Sequence, residues 1–222
     1  MLGRSYHMLI ASLPPLPPRF DVKRDPISAP RLEERLRMLE DEDAAVIDQW
    51  RSGLQWDRQP LDRTDEEFAA IYNDLMSSIA NPTLREMIQF RIDTRTIVTA
   101  IRRRRAGLPA STGIGQWGEH IRRNYHEPEF NLAGRYPWIG ELDGLLASGD
   151  ALGAQRLLFG ISYTQWSRMA ERYTFSFETI LLYLARWEII DRWTSRDAEA
   201  GQIRFQSILT ETLGDYAQLF QS

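Results

Sequence analysis

The sequence predicts an all-α protein, a multi-helix bundle of antiparallel helical hairpins with a short extended N-terminal arm. Apolar residues recur at helical three- and four-residue spacing over most of the 222-residue chain. Capping residues and prolines separate these segments by short connections. No segment shows the apolar–polar alternation of a half-buried strand. We place the arm and a proline-rich connector at residues 1–27 and one helical domain at residues 28–222.

The N-terminal region contains the arm and two short helices. Residues 5–13 are a short apolar run, which fits either a strand or a helix, and we favour an extended arm packed on the body. Four prolines then make a stiff connector: Pro14, Pro15, Pro17 and Pro18. Ser28 is placed to cap the first helix, and the acidic run at residues 40–43 separates it from a second helix that ends near Gly53.

A helical hairpin follows in the middle of the chain. Thr64 and Glu67 have the spacing of a capping box, which predicts a helix start. This helix ends at Asn81 and Pro82, where a long helix from Leu84 to Gly107 begins. The connection is so short that an antiparallel hairpin is expected.

The C-terminal half reads as a series of helices. Short ones are expected at residues 116–124, 138–147, 150–159 and 162–173, with Asp150 as an N-cap. The segment from Phe177 to Trp193 is apolar almost all round, which predicts a helix buried on most sides. Helical spacing continues through residues 203–213.

Three arginines lie in an unexpected position on the long helix. At 100° per residue, Arg91, Arg95 and Arg102 fall within its apolar arc. Glu188 and Asp191 lie on the apolar stripe of the last helix. Because an unpaired buried charge is costly, we expect ion pairs between these two sets, and Glu188→Gln to destabilise by about 3 kcal/mol.

The remaining basic residues near these helices are candidates for a partner interface. We expect Arg102 to point inward and its neighbours to face solvent or a partner protein. The candidates are Arg103, Arg104, Arg105, Arg122 and Arg123.

Composition excludes several classes of protein. The formal charge of −4 gives no overall electrostatic drive toward nucleic acid or anionic lipid. The absence of cysteine excludes disulfides, thiolate zinc sites and cysteine nucleophiles, and fits the cytosol. No apolar run reaches about 18 residues, so no membrane-spanning helix is expected, and the N-terminal run is too short for a signal peptide.

Motifs for catalysis or cofactor binding are weak. Residues 113–118 spell G-x-G-x-x-G, but an arginine-rich helix precedes them where a dinucleotide site needs a strand. The three histidines lack metal-ligand spacing. We therefore expect no catalytic, cofactor-binding or metal site and no small-molecule substrate. Two alternatives remain: a regulatory or nucleic-acid-binding module that uses residues 102–105, and an enzyme that uses Glu188 and Asp191 as acid and base.

Two segments resemble the family of V- and A-type rotary ATPase components known as the C-type stalk subunit, or the d-type in eukaryotes. The family pattern D-x-x-N-I-x-x-x-L-R-x-K-x-x-G is similar to residues 93–107, which begin Asp93-Thr-Arg-Thr96. The pattern Y-x-x-x-K-E-x-E-x-x-x-I is similar to residues 183–195, and residues 142–150 are similar too. The N-terminal SYHMLIASLPPL resembles bacterial proteins that begin Y-Y-x-L-x-A-S-L-P and accompany V-type ATPase subunits. Thr96 departs from the usual asparagine, and the chain is shorter than a full C-type protein.

This resemblance implies a function without catalysis. Members of the C-type family are helical funnels that join the membrane rotor ring to the central stalk and couple ion flow to ATP chemistry. By resemblance, this chain is expected to be a cytoplasmic, peripheral part of such a complex, with one lobe missing or shortened. Its partners would be the stalk and ring subunits, no nucleic acid would bind, and contact with the membrane would come only through the complex.

Overall fold

The computed structural model describes residues 6–53, 65–110 and 114–195. These residues form helices and the segments that connect them, without a β-strand, and the predicted all-α fold class is confirmed. The helices are α1 (His7–Ser12), α2 (Ala29–Leu36), α3 (Asp41–Gly53), α4 (Asp65–Ser78), α5 (Pro82–Arg105), α6 (Gly118–Arg123), α7 (Ile139–Ala147), α8 (Ala151–Ala170) and α9 (177–195), with a 3-10 turn at Pro128–Asn131.

Helix starts follow the capping residues of the sequence. Ser28 is the N-cap of α2, as predicted. The side chain of Asn81 accepts a hydrogen bond from the backbone N–H of Leu84 at 2.9 Å, at the start of α5. Asp150 accepts one from the N–H of Gly153 at 2.8 Å, at the start of α8. The Asn81 and Asp150 side chains each satisfy a backbone donor that the first turn of a helix leaves free, whereas Ser28 holds the N-cap position without a side-chain hydrogen bond.

Two helical hairpins organise the body. The first joins α4 to α5, and the Tyr72 hydroxyl of α4 donates a hydrogen bond to the Gln89 side chain of α5. The second joins α7 to α8 through Ser148 and Gly149. Gly149 has φ of +74°, a left-handed conformation that glycine adopts without steric cost.

The helices bury two apolar clusters. The first cluster lies among α1, α2, α3, α5, α8 and α9, and the second among α5, α6, α7 and α8. Helices α5 and α8 contribute to both. Members of α5 in the first cluster are Leu84, Met87, Ile88 and Ile92, and those in the second are Ile97, Ala100 and Ile101.

The two clusters contact opposite faces of α5. At 100° per residue, the first set of buried residues and the second set are about 160° apart around the helix axis. The core-facing side of α5 therefore changes near residues 92 and 93. This change decides where the arginines of the same helix lie.

The extended arm predicted for residues 5–13 is wrong at residues 7–12, which form α1. The helix buries Leu9 at 1% exposure and leaves Met8 at 76%, so one apolar residue enters the core. The extended segment begins at Leu13, where the prolines that follow cannot continue a helix.

The connector of residues 13–27 packs on the helical body. Prolines have no backbone N–H, so this segment offers mainly carbonyl acceptors. The Tyr183 hydroxyl donates to the carbonyl of Pro14 at 3.0 Å, and Trp187 Nε1 donates to that of Ile27 at 2.8 Å. The Tyr163 hydroxyl donates to the carbonyl of Pro17. Donors on α8 and α9 thus fix the connector in place.

A second correction concerns α8. The separate helices predicted for residues 150–159 and 162–173 are one helix, Ala151–Ala170. The predicted interruption lies near Gly160, but a single glycine inside a helix costs only about 1 kcal/mol, which packing can offset. Phe20 lies against this position, 3.6 Å from where a Cβ of Gly160 would be.

Three sequence features lie outside the described residues: the capping box at Thr64, Gly113 of the glycine motif, and the helical spacing of residues 203–213. Within the described part of the chain, no helix combines the length and apolar character needed to cross a bilayer.

Candidate functional site

Asp93 is the centre of a buried polar network. It is 1% exposed, and its carboxylate accepts hydrogen bonds from Gln89 Nε2 at 2.9 Å and from the backbone N and side-chain Nε2 of Gln116 at 3.2 and 2.7 Å. Since Tyr72 donates to Gln89, the network connects α4, α5 and the loop before α6. Burial raises the pKa of Asp93, while the hydrogen bonds from Gln116 and Gln89 and the charge of Arg135 oppose this rise.

The same loop is held at a second point and passes close to α5. The Thr96 hydroxyl donates to the carbonyl of Ile114 at 2.7 Å. Gly115 has φ of +85°, and a Cβ there would lie 2.6 Å from Oδ1 of Asp93. The close approach of the loop to Asp93 leaves no room for a side chain, which explains why position 115 is a glycine. Helix α5 ends at Arg105, and the described residues between it and the motif, 106–110, contain no strand that a dinucleotide site would need.

Glu188 lies where α9 meets α3 and α5. Its Oε2 accepts a hydrogen bond from Nε1 of Trp50 at 3.0 Å, and Trp50 itself is 0% exposed. The guanidinium carbon of Arg91 lies 5.5 Å from the centre of the Trp50 ring. Burial raises the pKa of Glu188, and the Trp50 hydrogen bond, then the charges of Arg91 and Arg192, oppose it. Glu188 and Arg91 thus both lie beside Trp50 of α3, and the predicted ion pair between them stays a prediction.

The other members of the predicted buried pairs lie elsewhere. Arg95 and Arg102 are exposed, so the prediction that Arg102 points inward is wrong. They share a stripe with Arg91 as predicted, but the core-facing side of α5 changes along the helix, and the stripe emerges at the surface. Burial, then the charge of Asp25 in the N-terminal connector, raises the pKa of Asp191, and the charge of Arg192 opposes this rise.

An open groove of about 420 Å³ collects most of these residues. Helices α5, α8 and α9 form its walls, and four arginines and one carboxylate of the described residues line it. They are Arg91, Arg95, Arg102, Arg192 and Glu188. Apolar side chains line it between these charges: Val98, Leu158, Phe159, Trp166, Ala185 and Ile189. We call this surface the arginine groove.

The arginines at the end of α5 form intramolecular contacts. Arg103 Nε donates to the carbonyl of Pro109 at 2.9 Å, and Arg105 pairs with Asp143 at 3.0 Å. Arg104 donates to the carbonyl of Glu127 at 3.0 Å. These contacts join the end of α5 to the neighbouring loops and, through Asp143, to α7.

Two further contacts complete the predicted interface set. The guanidinium of Arg104 also lies 4.4 Å from the centre of the Phe130 ring. Arg122 and Arg123 both pair with Glu119, at 2.7 and 2.8 Å. All five interface candidates are thus engaged within the protein, although their partly exposed side chains remain within reach of a partner.

A larger open cleft of about 920 Å³ lies beside the Asp93 network. The described residues that line it include four acids and four arginines, among them Glu141, Arg135 and Arg168. Within the described ranges, no three His, Asp or Glu side chains cluster as metal ligands would. The cleft therefore offers no concentrated charge of one sign.

Sequence reasoning missed Trp50, Gln89, Gln116 and Arg192. The first three are hydrogen-bond donors to buried acids, and the partners of Trp50 and Gln116 are distant in the chain. Arg192 could have been found, because it lies one helical turn after Glu188 on the same face of α9. Asp93 was identified in the sequence only as part of the segment that resembles the C-type family, and its buried network was not predicted.

The fold and the site define an all-helical protein with a buried polar network and a basic surface groove. The chain belongs to the family described as "Protein of unknown function (DUF2764)", which matches residues 54–213. No curated protein and no solved structure matches the chain.

Proposed function

We propose that this protein is a non-catalytic structural subunit of a bacterial V/A-type rotary ATPase, which links the central stalk to the membrane rotor ring. The carrying observation is α5, since the helix that resembles the C-type family passes through both apolar clusters. Its 24 residues span about 36 Å at 1.5 Å per residue. A continuous helix fixed in two cores is suited to transmit force without bending.

The residues behind the resemblance also have structural contacts. Asp93 and Thr96 hold the loop before α6 against α5. Tyr183 fixes the N-terminal connector, and Glu188 accepts from Trp50. These four positions support a role for the two resembling segments in keeping the helical body rigid.

The alternatives receive less support. An acid–base enzyme needs Glu188 and Asp191 to share an open site, but only Glu188 is among the residues that line the arginine groove. A nucleic-acid module would use residues 102–105, yet Arg103, Arg104 and Arg105 bind carbonyl or carboxylate groups of the protein itself. Phosphate contacts would have to compete with these bonds.

The experiment that tests this proposal is co-purification. The tagged full-length chain is expressed with the stalk and rotor-ring subunits of a V/A-type ATPase from the same genome, and the complex is isolated in detergent. We expect both kinds of subunit to be retained in fixed ratio through size-exclusion chromatography. Monodisperse free protein, with neither partner retained, would contradict the proposal, and salt-sensitive retention of nucleic acid would support the alternative.

A further inference from the structure

Residues 13–18, Leu-Pro-Pro-Leu-Pro-Pro, are held extended by their own sequence. Proline fixes its own φ at about −65° and restricts the residue before it to extended conformations. Leu13 accordingly has φ of −86° and ψ of 130°, and residues 14–17 form neither helix nor turn. The segment is therefore preformed as a polyproline II helix, which loses little conformational entropy when it binds a surface.

The exposure of this segment repeats every three residues. Pro15 and Pro18 are exposed, and the four other residues are partly buried: Leu13, Pro14, Leu16 and Pro17. A polyproline II helix has three residues per turn, so one of its edges faces solvent while the other two face the protein. The two leucines pack against the first apolar cluster.

Two tyrosine hydroxyls bind the carbonyl groups of the segment. Tyr183 of α9 donates to the carbonyl of Pro14 at 3.0 Å, and Tyr163 of α8 donates to that of Pro17. These carbonyls are three residues apart, which is one turn of a polyproline II helix or about 9 Å. Burial raises the pKa of Tyr183 to about 12 and also raises that of Tyr163, so both hydroxyls keep their protons at neutral pH. We call the part of α8 and α9 around these two residues the tyrosine surface.

The tyrosine surface has the chemistry that recognises proline-rich segments, because aromatic rings contact the chain and side-chain donors bind its carbonyls. Within the described residues, the hydrogen bonds from α8 and α9 to residues 13–18 are these two. A segment held by two hydrogen bonds and partial burial opens more readily than a core helix. Residues 13–18 are thus bound as a ligand would be.

We propose that the tyrosine surface is a binding site for a proline-rich segment of a partner protein, and that residues 13–18 are its internal competitor. The partner segment has the pattern apolar-Pro-Pro-apolar-Pro. Its apolar residues take the places of Leu13 and Leu16, and its carbonyls accept from Tyr163 and Tyr183. This inference does not depend on membership in a rotary ATPase, since it follows from contacts within the chain.

The test uses a labelled peptide, SLPPLPPR, which is the sequence of residues 12–19, and fluorescence anisotropy. Binding is compared between the full-length wild type and a full-length open variant with Pro14→Gly, Leu16→Ser and Pro17→Gly, in which the internal competitor is weakened. We expect the open variant to bind the peptide at least tenfold more tightly, because a tethered segment competes at an effective concentration in the millimolar range. A peptide with alanine at every proline should bind the open variant at least tenfold more weakly, because it is not preformed.

Substitution of the tyrosines locates the binding. Tyr163→Phe and Tyr183→Phe, each in the open variant, should weaken the peptide about threefold to tenfold through loss of one hydrogen bond. Tyr125→Phe is the matched control, because the Tyr125 hydroxyl donates to the carbonyl of Leu108 at 2.9 Å, away from the tyrosine surface, and it should change nothing. Circular dichroism checks that each variant is folded, and Leu16→Ser alone replaces the open variant if that is not.

Several outcomes would overturn the proposal. They are failure of the proline peptide to bind the folded variant, equal binding of the alanine peptide, equal binding to the wild type, and binding that survives both tyrosine substitutions. Self-association of the wild type that is lost in the open variant would also overturn it, since the occupant would then be residues 13–18 of a second copy of the chain.

Discussion

At the level of single residues, Glu188 is a buried acid that accepts a hydrogen bond from an indole N–H and lies near a guanidinium group. The spacing of the last helix placed this acid on an apolar stripe, and Arg91 does lie near it. The hydrogen bond to it comes from Trp50, on α3, 138 positions away in the chain. No local pattern connects an indole N–H to a carboxylate at that separation, so this contact could not be predicted.

This contact changes what substitution of Glu188 should do. Glu188→Leu removes the acceptor of the buried Trp50 N–H and should lower the free energy of unfolding by about 1–3 kcal/mol. Glu188→Gln keeps an oxygen acceptor, so we expect a loss of about 1 kcal/mol or less, below the roughly 3 kcal/mol expected for a broken ion pair. Urea unfolding of both variants measures the difference. Equal losses would show that the Trp50 bond is unimportant.

Asp93 is the second residue whose environment gives a prediction. The carboxylate of Asp93 accepts three hydrogen bonds, so Asp93→Asn loses an acceptor oxygen, and the side-chain amide of Gln116 must turn over to accept from the new N–H₂. We expect a loss of about 2 kcal/mol in the free energy of unfolding. Asp48→Asn, at an exposed position of α3, is the control and should be neutral. A neutral Asp93→Asn would contradict the network.

The raised pKa of Asp93 also predicts a pH dependence. The folded carboxyl binds its proton more tightly than the unfolded one, so stability is lost as pH rises from the ordinary value through the folded pKa. Asp93→Asn cannot titrate. The stability advantage of the wild type over the variant should therefore decrease as pH rises through this interval. Unfolding series from acidic to neutral pH would show it, and an advantage that grows with pH would contradict the burial of Asp93.

At the level of elements, α5 is a helix that periodicity predicts correctly but whose buried face it does not predict. Periodicity predicted the helix, the stripe of arginines and the hairpin with α4. It could not reveal that two cores contact opposite faces of one helix, because both sets of apolar residues merge into one wide arc. Viewed along the helix axis, Arg95 and Arg102 lie on the same side of α5 as the buried residues of its first half. In the second half of the helix, neither apolar cluster covers that side, so both arginines are exposed.

The loop that packs on α5 gives a prediction with internal controls. Gly115→Ala combines a left-handed φ with a Cβ that would meet Asp93 at 2.6 Å. Gly107 has φ of +68° and no neighbour within 4 Å, so Gly107→Ala tests backbone strain alone, at about 1 kcal/mol. Gly134→Ala has neither cost. We expect the loss of thermal stability to be largest for Gly115→Ala, smaller for Gly107→Ala and smallest for Gly134→Ala. Equal losses for Gly115→Ala and Gly107→Ala would contradict the close approach of residue 115 to Asp93.

At the level of the whole molecule, two clusters joined by α5 and α8 should unfold together. Ile88→Ala affects the first cluster and Ile101→Ala the second, each by about 2–5 kcal/mol. Because both clusters share continuous helices, each variant should shift the same single thermal transition. Leu152→Ala, at 57% exposure on α8, is the control. Calorimetry that resolves two transitions, each sensitive to one variant, would show that the clusters are independent.

The all-α architecture was accessible from the sequence, because capping residues such as Ser28 and Asp150 act locally. The short helix α1 and the continuity of α8 were not, since tertiary packing of Leu9 and of the residues around Gly160 outweighs weak local signals. The arginine groove was partly accessible: most of its charged residues were singled out, but their meeting at a surface depends on how three helices pack.

Coupling between ATP hydrolysis and ion transport tests the proposed function most directly. The ATPase complex is reconstituted in vesicles with and without this chain, and hydrolysis and ion uptake are measured together. We expect uptake to be lost without the chain while hydrolysis by the catalytic head continues, and to return when the chain is added back. Full uptake in its absence would contradict a role in linking the stalk to the rotor ring.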